Sequence, residues 1–511
     1  MADELEKRWS KSQSQSELRY ENEKKLIQPL QNNNSKETEL KNKDEFIKDV
    51  PHTEIVFFVL MIARMYSALS SHITDCDETF NFWEPTHYLS FGNGFQTWEY
   101  NPKYALRSYF YVGVHSVIVK MCSLFVWNHK VFAFYMLRIL LGVFCAASED
   151  QLYSSIYKTF GSFIANCWLL IALFAPGMFI SSSAYLPSSF AMCSISIAYA
   201  AWLDGSNQAA VIWIAIASLI GWPFVAILGI PIAWDIVIEN KRFWKFLKYF
   251  LIAFTFTMTP IVIVDFMMYG KVVIAPLNII LYNVFNINGS TLYGTEPFSF
   301  YFYNGFLNFN IAFVLALVSL PVCILFKFFY QGINKSVYFL LTPMYLWFTI
   351  MFITPHKEER FLYPVYPFIS FAASIVLFII GKSTSYCFGY FYKHMKQASL
   401  LNVSGFFIIY FTLCFFRIGA LETYYSAPMH VYKDLYNVPE LNPIICIGKE
   451  WHRFPSNFFV PHSGSVGFIK SGFKGQLPQK FNAGGRYGTS GININQNDNN
   501  REEPSVYMEI K

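Results

Sequence analysis

Three carboxylates stand close together just after the first long apolar stretch of the chain. Asp75, Asp77 and Glu78 begin a polar and aromatic segment, residues 75–109, that also carries His87 and Arg107. Like charges at this spacing repel one another, and carboxylate and imidazole groups are common general acids and bases. The segment therefore predicts either a site for acid–base chemistry or a solvated loop with aromatic anchors at the membrane surface.

Apolar residues in the stretch 78–91 recur near helical spacing, which predicts an amphipathic helix at the membrane interface. His87 lies nine residues after Glu78, so joint action of the two side chains needs a bend, which Pro85 could supply. Asp75 and Asp77 also match the DxD spacing that holds a divalent metal in nucleotide-sugar transferases. Metal binding is the minor alternative here, and the sequence predicts neither a metal nor a cofactor.

A second charged cluster, His356 to Arg360, lies in a link between two apolar stretches that is too short to be a domain. Lys357 and Arg360 could hold a phosphate group at the level of the lipid headgroups. The alternative is a plain turn in which Glu358 and Glu359 neutralise two cations that reach the membrane surface.

Ionisable residues also occur inside the apolar stretches, where charge is costly and typical of function. They are Arg64, His115, Lys120 and Arg138. Arg138 and Glu149 lie eleven residues apart, about three helical turns, so they are predicted to share a face and a buried network. Arg64 and Lys120 could instead extend to the membrane surface.

Membrane-spanning helices must position these residues. Of the 511 residues, 54% are hydrophobic and only 14% are charged, against about 25% charged in a typical soluble protein. Apolar stretches of about 20 residues, joined by short links, predict an all-α multi-span protein with about 11 transmembrane helices, whereas the alternating segments of a β-barrel are absent. The net charge of +5 is mild and unclustered, so no nucleic acid partner is predicted. The predicted spans are 54–70, 109–128, 131–148, 160–183, 187–203, 209–234, 247–268, 303–326, 336–354, 361–381 and 400–420.

Lysine and arginine are more frequent in the links on one side of these spans, which predicts a cytosolic N-terminus. The polar arm 1–50 is predicted to be disordered, and residues 51–420 form the predicted transmembrane catalytic domain. An odd number of spans places the C-terminal region, 421–511, in the lumen, with 482–503 predicted to be flexible. Cys76 and Cys446 lie in polar loops and could pair in an oxidising lumen. The predicted lumenal loops are 71–108, 269–302 and 355–360.

The strings DETFNFWEPTHYLSFGNGFQTWEYNPKYALRSY and HKEERF resemble the family of ER mannosyltransferases that use dolichyl-phosphate mannose. The sequence of the first loop resembles the branch of this family that forms α-1,2 bonds on the dolichol-linked oligosaccharide. The same resemblance extends to CIGKEWHRFP at 446–455 and GFKGQLP at 472–478. The resemblance covers residues 52–481. It implies a GT-C-like helical bundle in the ER membrane whose lumenal loops and small C-terminal region surround the site.

The resemblance also implies a reaction and roles for the residues. Mannose would pass with inversion from dolichyl-phosphate mannose to the dolichyl-diphosphate-linked oligosaccharide that carries six or eight mannose residues. Asp77 is the implied base, with Glu78 second, and the phosphate leaving group needs neither a general acid nor a metal. Residues predicted to contact sugar or phosphate are Asp75, Trp83, His87, Trp98, Tyr100, Arg107, Arg138, His356, Lys357, Glu358, Glu359 and Arg360.

Three alternatives stay open on the sequence. A sibling mannosyltransferase would act on the glycosylphosphatidylinositol anchor precursor, and the strings in the C-terminal region speak against it. A polytopic transporter would place its charges near the bilayer midplane in an inverted repeat, which the chain does not show. A non-catalytic scaffold subunit would have no need of the carboxylate cluster. The oligomeric state is not predicted.

Overall fold

The computed structural model describes residues 53–508, except for 126–128, 286–290, 330–333, 392–395, 433–434, 436–441, 484 and 486. The predicted N-terminal arm, residues 1–50, lies outside the described residues. Helices dominate the described part of the chain. They are α1 (Thr53–Ser70), α2 (Cys76–Glu78), α3 (Glu84–Phe91), α4 (Tyr109–Phe125), α5 (Lys130–Phe160), α6 (Ser162–Phe174), α7 (Pro176–Ser181), α8 (Pro187–Leu203), α9 (Asn207–Ile216), α10 (Ile230–Trp234), α11 (Phe243–Tyr269), α12 (Ala275–Phe285), α13 (Phe300–Leu317), α14 (Ser319–Phe329), α15 (Lys335–Ile353), α16 (Tyr366–Phe391), α17 (Lys396–Tyr424) and α18 (Ala427–Val431).

Six helical stretches among the described residues are long and apolar enough to cross a membrane. They confirm a multi-span helical protein, but the predicted count of about eleven spans is not confirmed. Local breaks explain part of the difference. Pro176 separates α6 from α7, so the predicted span 160–183 consists of two shorter helices. The six stretches are Lys130–Phe160, Phe243–Tyr269, Phe300–Lys327, Lys335–Ile353, Glu359–Thr384 and Val403–Val431.

Helix α4 corresponds to the predicted span 109–128, but it is shorter than the six long stretches. The N–H of Tyr109, its first residue, donates to Asp265 of α11 at 2.7 Å. Towards its other end, the ammonium of Lys120 donates to the hydroxyl of Tyr487 in the C-terminal region at 2.6 Å. One end of α4 therefore contacts helix α11, and the other end contacts the C-terminal region.

The stretch 209–234, predicted to be one span, turns back on itself. Helix α9 continues into a π-helical turn and is followed by the 3₁₀-helix Pro223–Gly229 and by α10. The hydroxyl of Tyr199 donates to the carbonyl of Leu228 at 2.8 Å, and the indole of Trp202 donates to Asp235 at 3.0 Å. Residues 228–235 thus run in the same direction as α8, which is opposite to α9.

A buried ion pair joins α1 to α5. The guanidinium of Arg64 contacts Glu149 through two hydrogen bonds of 2.6 and 2.8 Å, and both side chains are only 1% exposed. Arg64 therefore does not extend to the membrane surface. Arg138 makes its hydrogen bonds elsewhere, to the carbonyl of Ser71 at 2.7 Å and to the hydroxyl of Ser183 at 3.2 Å. The predicted network that couples Arg138 with Glu149 is thus replaced by two separate sets of contacts.

The C-terminal region packs on the first loop through short strands. Strand β1 (Phe95–Gln96) pairs antiparallel with β4 (Gln479–Lys480). Strand β2 (Ile444–Ile447) pairs in parallel with β3 (Ser465–Phe468). The segment 482–503, which the sequence predicts to be flexible, also reaches this loop, since Gln96 donates to Gln496 at 2.8 Å. Cys76 and Cys446 are both free thiols, so the disulfide that the sequence allowed is not formed.

Glu84 connects the first loop to the C-terminal region most directly. Its fully buried carboxylate accepts hydrogen bonds from the hydroxyl of Ser456 at 2.7 Å and from the backbone N–H of Asn457 at 2.7 Å. It also accepts from the side-chain amide of Asn457 at 2.6 Å and from the N–H of Phe95 at 2.9 Å. A buried carboxylate is stable only with such donors, so this contact holds the two segments together.

Candidate active site

The carboxylate cluster sits at the start of a short helical run that begins with α2. Asp75 caps this helix, because its side chain accepts the backbone N–H of Asp77 at 2.8 Å. A π-helical turn, Thr79–Trp83, then leads into α3. Pro85 has no N–H to give to the carbonyl of Asn81, and the hydroxyl of Tyr100 donates to that carbonyl instead, at 2.7 Å.

Residues 78–90 are all buried. The amphipathic helix predicted at the membrane interface over 78–91 is therefore wrong, because the C-terminal region and α5 cover the face that was expected to meet water. Trp83, for example, packs on Phe134 of α5 and on Phe458 of the C-terminal region. The aromatic spacing indicated a helix correctly, but it could not show what covers the helix.

Arg360 brings the two predicted charged clusters together. Its guanidinium lies 2.8 Å from Asp75 and 2.5 Å from Asp77. The same group also pairs closely with Glu358. Arg360 is the second residue of the stretch Glu359–Thr384, so one planar cation connects that stretch to the carboxylates of the first loop.

Arg107 bounds the cluster on its other side. It makes two hydrogen bonds of 3.0 Å to Glu99, and it lies 3.9 Å from Asp77. Asp77 therefore stands between two guanidinium groups. With a side chain that is 34% exposed, it is also more exposed than Asp75 or Glu358.

The carboxylates of this cluster differ in their affinity for protons. Burial raises the pKa of Asp75 to about 7, although the charge of Arg360 opposes the shift. Burial would raise the pKa of Glu358 as well, but Arg360 and His356 outweigh it and lower that pKa to about 2. The hydrogen bond to Glu358 raises the pKa of His356 in turn. Glu358 thus stays ionised, whereas Asp75 exchanges its proton near neutral pH.

Glu78, the second predicted base, is almost fully buried. Its carboxylate accepts hydrogen bonds from the indole of Trp83 at 2.9 Å and from the backbone N–H of Tyr185 at 3.0 Å. Burial raises the pKa of Glu78, and the charge of Arg138 partly offsets this. These contacts fit a residue that supports the helix better than one that meets a sugar hydroxyl.

The link before Arg360 holds a neighbouring loop. His356 contacts the carbonyl of Gly294 at 2.9 Å, and its other ring nitrogen contacts Glu358 at 2.9 Å. The ammonium of Lys357 donates to the carbonyls of Glu296, at 3.0 Å, and Thr354. Lys357 is therefore directed at backbone carbonyls in this structure and not at the carboxylate cluster.

Several predicted site residues are not brought to the Arg360 cluster. His87 is buried, with Nδ1 on the carbonyl of Asn93 at 2.6 Å and its ring against Phe458. Glu359 accepts a hydrogen bond from Asn308 at 2.9 Å. The other predicted site residues with partners elsewhere are Trp83, Tyr100 and Arg138.

Two acidic residues that matter here were missed by sequence reasoning. Glu99 pairs with Arg107, and its position eight residues before that arginine was a usable signal. Glu84 was overlooked because its partners, Ser456 and Asn457, lie more than 370 residues later in the chain. No local pattern reveals such a contact.

Only one group of residues in the described part of the chain has spacing suited to a metal ion. The ligand atoms of Asp75, Cys76 and Asp77 lie within 4.8 Å of one another. Arg360 already occupies the carboxylate side of this group, at 2.8 and 2.5 Å. The charge that a metal would balance is thus partly balanced by the guanidinium.

Comparison with known proteins identifies the family. The model of the Alg9-like mannosyltransferase family matches residues 55–461. This chain belongs to the Alg9-like mannosyltransferase family. The mouse relative "Alpha-1,2-mannosyltransferase ALG9" is 43% identical over 476 residues, which cover 90% of this chain and 78% of the relative. A more distant relative, "GPI mannosyltransferase 3" of Candida albicans, is 23% identical, covering 74% of this chain and 76% of the relative.

Solved structures confirm the predicted GT-C-like helical bundle for this Alg9-like mannosyltransferase. ArnT from Cupriavidus metallidurans, bound to undecaprenyl phosphate, superposes with a TM-score of 0.55. The match covers 81% of this chain and 85% of ArnT at 10% sequence identity, so it shows the fold alone. Family and fold together establish a membrane-embedded mannosyltransferase.

Proposed function

We propose that this Alg9-like mannosyltransferase forms α-1,2 bonds on the dolichyl-diphosphate-linked oligosaccharide of N-glycan assembly. The donor is dolichyl-phosphate mannose, and the acceptors carry six and eight mannose residues. Similarity to relatives named α-1,2-mannosyltransferases supports this linkage, and the higher identity favours it over the anchor-precursor alternative. We place the protein in the ER membrane with a cytosolic N-terminus, so that the carboxylate cluster faces the lumen.

The placement of Asp77 between Arg107 and Arg360 is the observation that carries the mechanism. The acceptor hydroxyl oxygen attacks C1 of the donor mannose, and its proton passes to the carboxylate of Asp77. The bond from C1 to the phosphate oxygen breaks on the opposite face, so the β-linked mannose becomes α-linked. Dolichyl phosphate leaves with the electron pair.

The two guanidinium groups suit the leaving phosphate. Charge develops on its oxygen as the bond breaks, and fixed donors stabilise such charge without reorganisation. Arg360 and Arg107 are already oriented by Glu358 and Glu99. The proposed mechanism uses neither a cofactor nor a metal, so transfer should persist when divalent ions are chelated.

The test is the lipid-linked oligosaccharide profile of cells that lack this protein. We expect a six-mannose glycan to accumulate, and we expect the wild-type chain to restore the full-length glycan. Asp77→Asn, at matched protein level, should fail to restore it because the amide cannot take the proton. The matched control is Asp204→Asn, whose side chain forms a half-exposed pair with Lys158 at 3.5 Å.

Two results would contradict the proposal. A normal glycan in the deficient cells, with anchor intermediates accumulating, would favour the sibling activity. Full restoration by Asp77→Asn would remove Asp77 as the base, while leaving the pathway assignment intact.

A further inference from the structure

An aromatic cluster lies directly beside the carboxylates. Trp98 immediately precedes Glu99, the partner of Arg107, and its side chain is 9% exposed. Its ring is parallel to that of Tyr293 within 6°, with centroids 6.4 Å apart. Tyr282 of α12 packs on the same indole, with a centroid distance of 5.2 Å. Three aromatic rings from three chain segments thus meet at Trp98, which is the neighbour of Glu99 in the sequence.

The link 354–358 holds Tyr293 in this position. The loop that carries Tyr293 is joined to the link by the contact of His356 with the Gly294 carbonyl. The N–H of Glu296 also donates to the carbonyl of Pro355 at 3.0 Å, and Lys357 donates back to the carbonyl of Glu296. Because Arg360 binds the carboxylates, this one link positions both the charged cluster and the aromatic cluster.

Two features of the aromatic cluster indicate a ligand. The hydroxyl of Tyr282 is buried and has no hydrogen-bond partner within the described part of the chain, which is costly unless a bound group supplies one. Tyr293 is 43% exposed although it is a large aromatic residue held in place by its loop. Partial burial, together with Tyr282, Glu99 and Asp77, raises the pKa of Tyr293, so its hydroxyl remains a donor at neutral pH.

We propose that Trp98, Tyr282 and Tyr293 form the subsite for the terminal mannose of the acceptor glycan. This inference rests on the proposed function. Aromatic faces bind the apolar face of a pyranose, and the tyrosine hydroxyls meet its hydroxyl groups. The acceptor fits better than the donor, because a branched glycan must extend into water and residues 293–298 are exposed. The neighbouring Asp77 can then take a proton from the bound sugar.

The experiment measures KM for each substrate with the purified full chain. Tyr293→Ala should raise KM for the acceptor by about tenfold, which corresponds to about 1.4 kcal/mol, and leave KM for the donor unchanged. Tyr293→Phe keeps the ring but loses the hydroxyl donor, so it should raise KM for the acceptor less than Tyr293→Ala does. Tyr282→Phe keeps the packing but loses the hydroxyl, so it should also raise KM for the acceptor. Tyr303→Ala, an exposed tyrosine on α13, is the matched control.

An unchanged acceptor KM in both Tyr293→Ala and Tyr282→Phe would overturn the inference, and so would an effect confined to the donor KM. A wild-type chain that transfers no mannose would instead overturn the proposed function itself. The two failures are therefore distinguishable in one assay.

Discussion

Arg360 is the residue on which the charged cluster depends. It meets Asp75, Asp77 and Glu358, which come from two chain segments about 280 residues apart. A guanidinium suits this position because its planar fork offers several donors at fixed angles, which the ammonium of lysine does not. The sequence indicated both charged segments, but their contact depends on the fold. Nothing in residues 75–78 or 356–360 alone showed that one arginine would join them.

The protonation of Asp75 predicts a dependence of stability on pH. Its pKa is raised by burial to about 7, against about 3.9 for an unfolded aspartate. The folded state therefore binds this proton more tightly, and the resulting stability is complete below about pH 4 and lost as the pH rises through about 7. Between these values, the Tm of the wild type should fall relative to that of Asp75→Asn, which does not titrate.

Thermal unfolding of the two purified proteins across this pH range makes the comparison. Parallel Tm curves would show that Asp75 is already ionised in the folded protein at low pH. The control is Asp204→Asn, whose curve should follow that of the wild type because the side chain is half exposed.

At the scale of helices, the pair Arg64–Glu149 holds α1 against α5 close to the start of the first loop. Removing one partner leaves a buried charge, which costs about 3–5 kcal/mol. We therefore expect Arg64→Met to lower the Tm and the level of protein in the membrane. The double variant Arg64→Met with Glu149→Leu should recover much of the loss, because it removes both charges.

A Tm for the double variant as low as that of Arg64→Met would show that the pair contributes by packing or by the hydrogen bond of Arg64 to the Ala172 carbonyl, 2.9 Å long. Lys335→Met is a useful control. Its pair with Glu239 is short, at 2.6 Å, but exposed, and exposed pairs contribute at most about 1 kcal/mol.

Hydropathy predicted most helices well, and two predicted spans do not form one long helix that could cross a membrane. Residues 187–203 and 336–354 are helical almost to the residue. Residues 109–125 are equally apolar but pack on the first loop, and 207–239 turn back near Trp222. Apolar composition shows that a helix avoids water, but it does not distinguish lipid from a protein surface.

At the scale of the whole molecule, the C-terminal region supports the first loop through Glu84. Replacing Glu84 with alanine leaves buried donors on Ser456 and Asn457 without an acceptor. Each unpaired donor lowers the free energy of unfolding by about 1–3 kcal/mol. We expect Glu84→Ala to detach the C-terminal region, so that limited proteolysis cuts more readily after residue 443. Activity should fall as well, because only the π-helical turn Thr79–Trp83 separates Glu84 from the carboxylates of the site.

The matched control is Glu450→Ala, which removes an exposed carboxylate of the same region. If Glu84→Ala is digested like the wild type, the strand pairing and ring stacking are sufficient to hold the C-terminal region on the first loop. That stacking includes Tyr88 on Phe481, with centroids 4.0 Å apart.

The most direct test of the central claim uses the purified full chain in lipid nanodiscs. It would be given dolichyl-phosphate mannose and a dolichyl-diphosphate-linked glycan with six mannose residues, and the product would be treated with an α-1,2-specific mannosidase. We predict the gain of one mannose that this enzyme removes, and no gain with Asp77→Asn. A folded wild-type chain that transfers no mannose, or forms a bond resistant to that enzyme, would contradict the account.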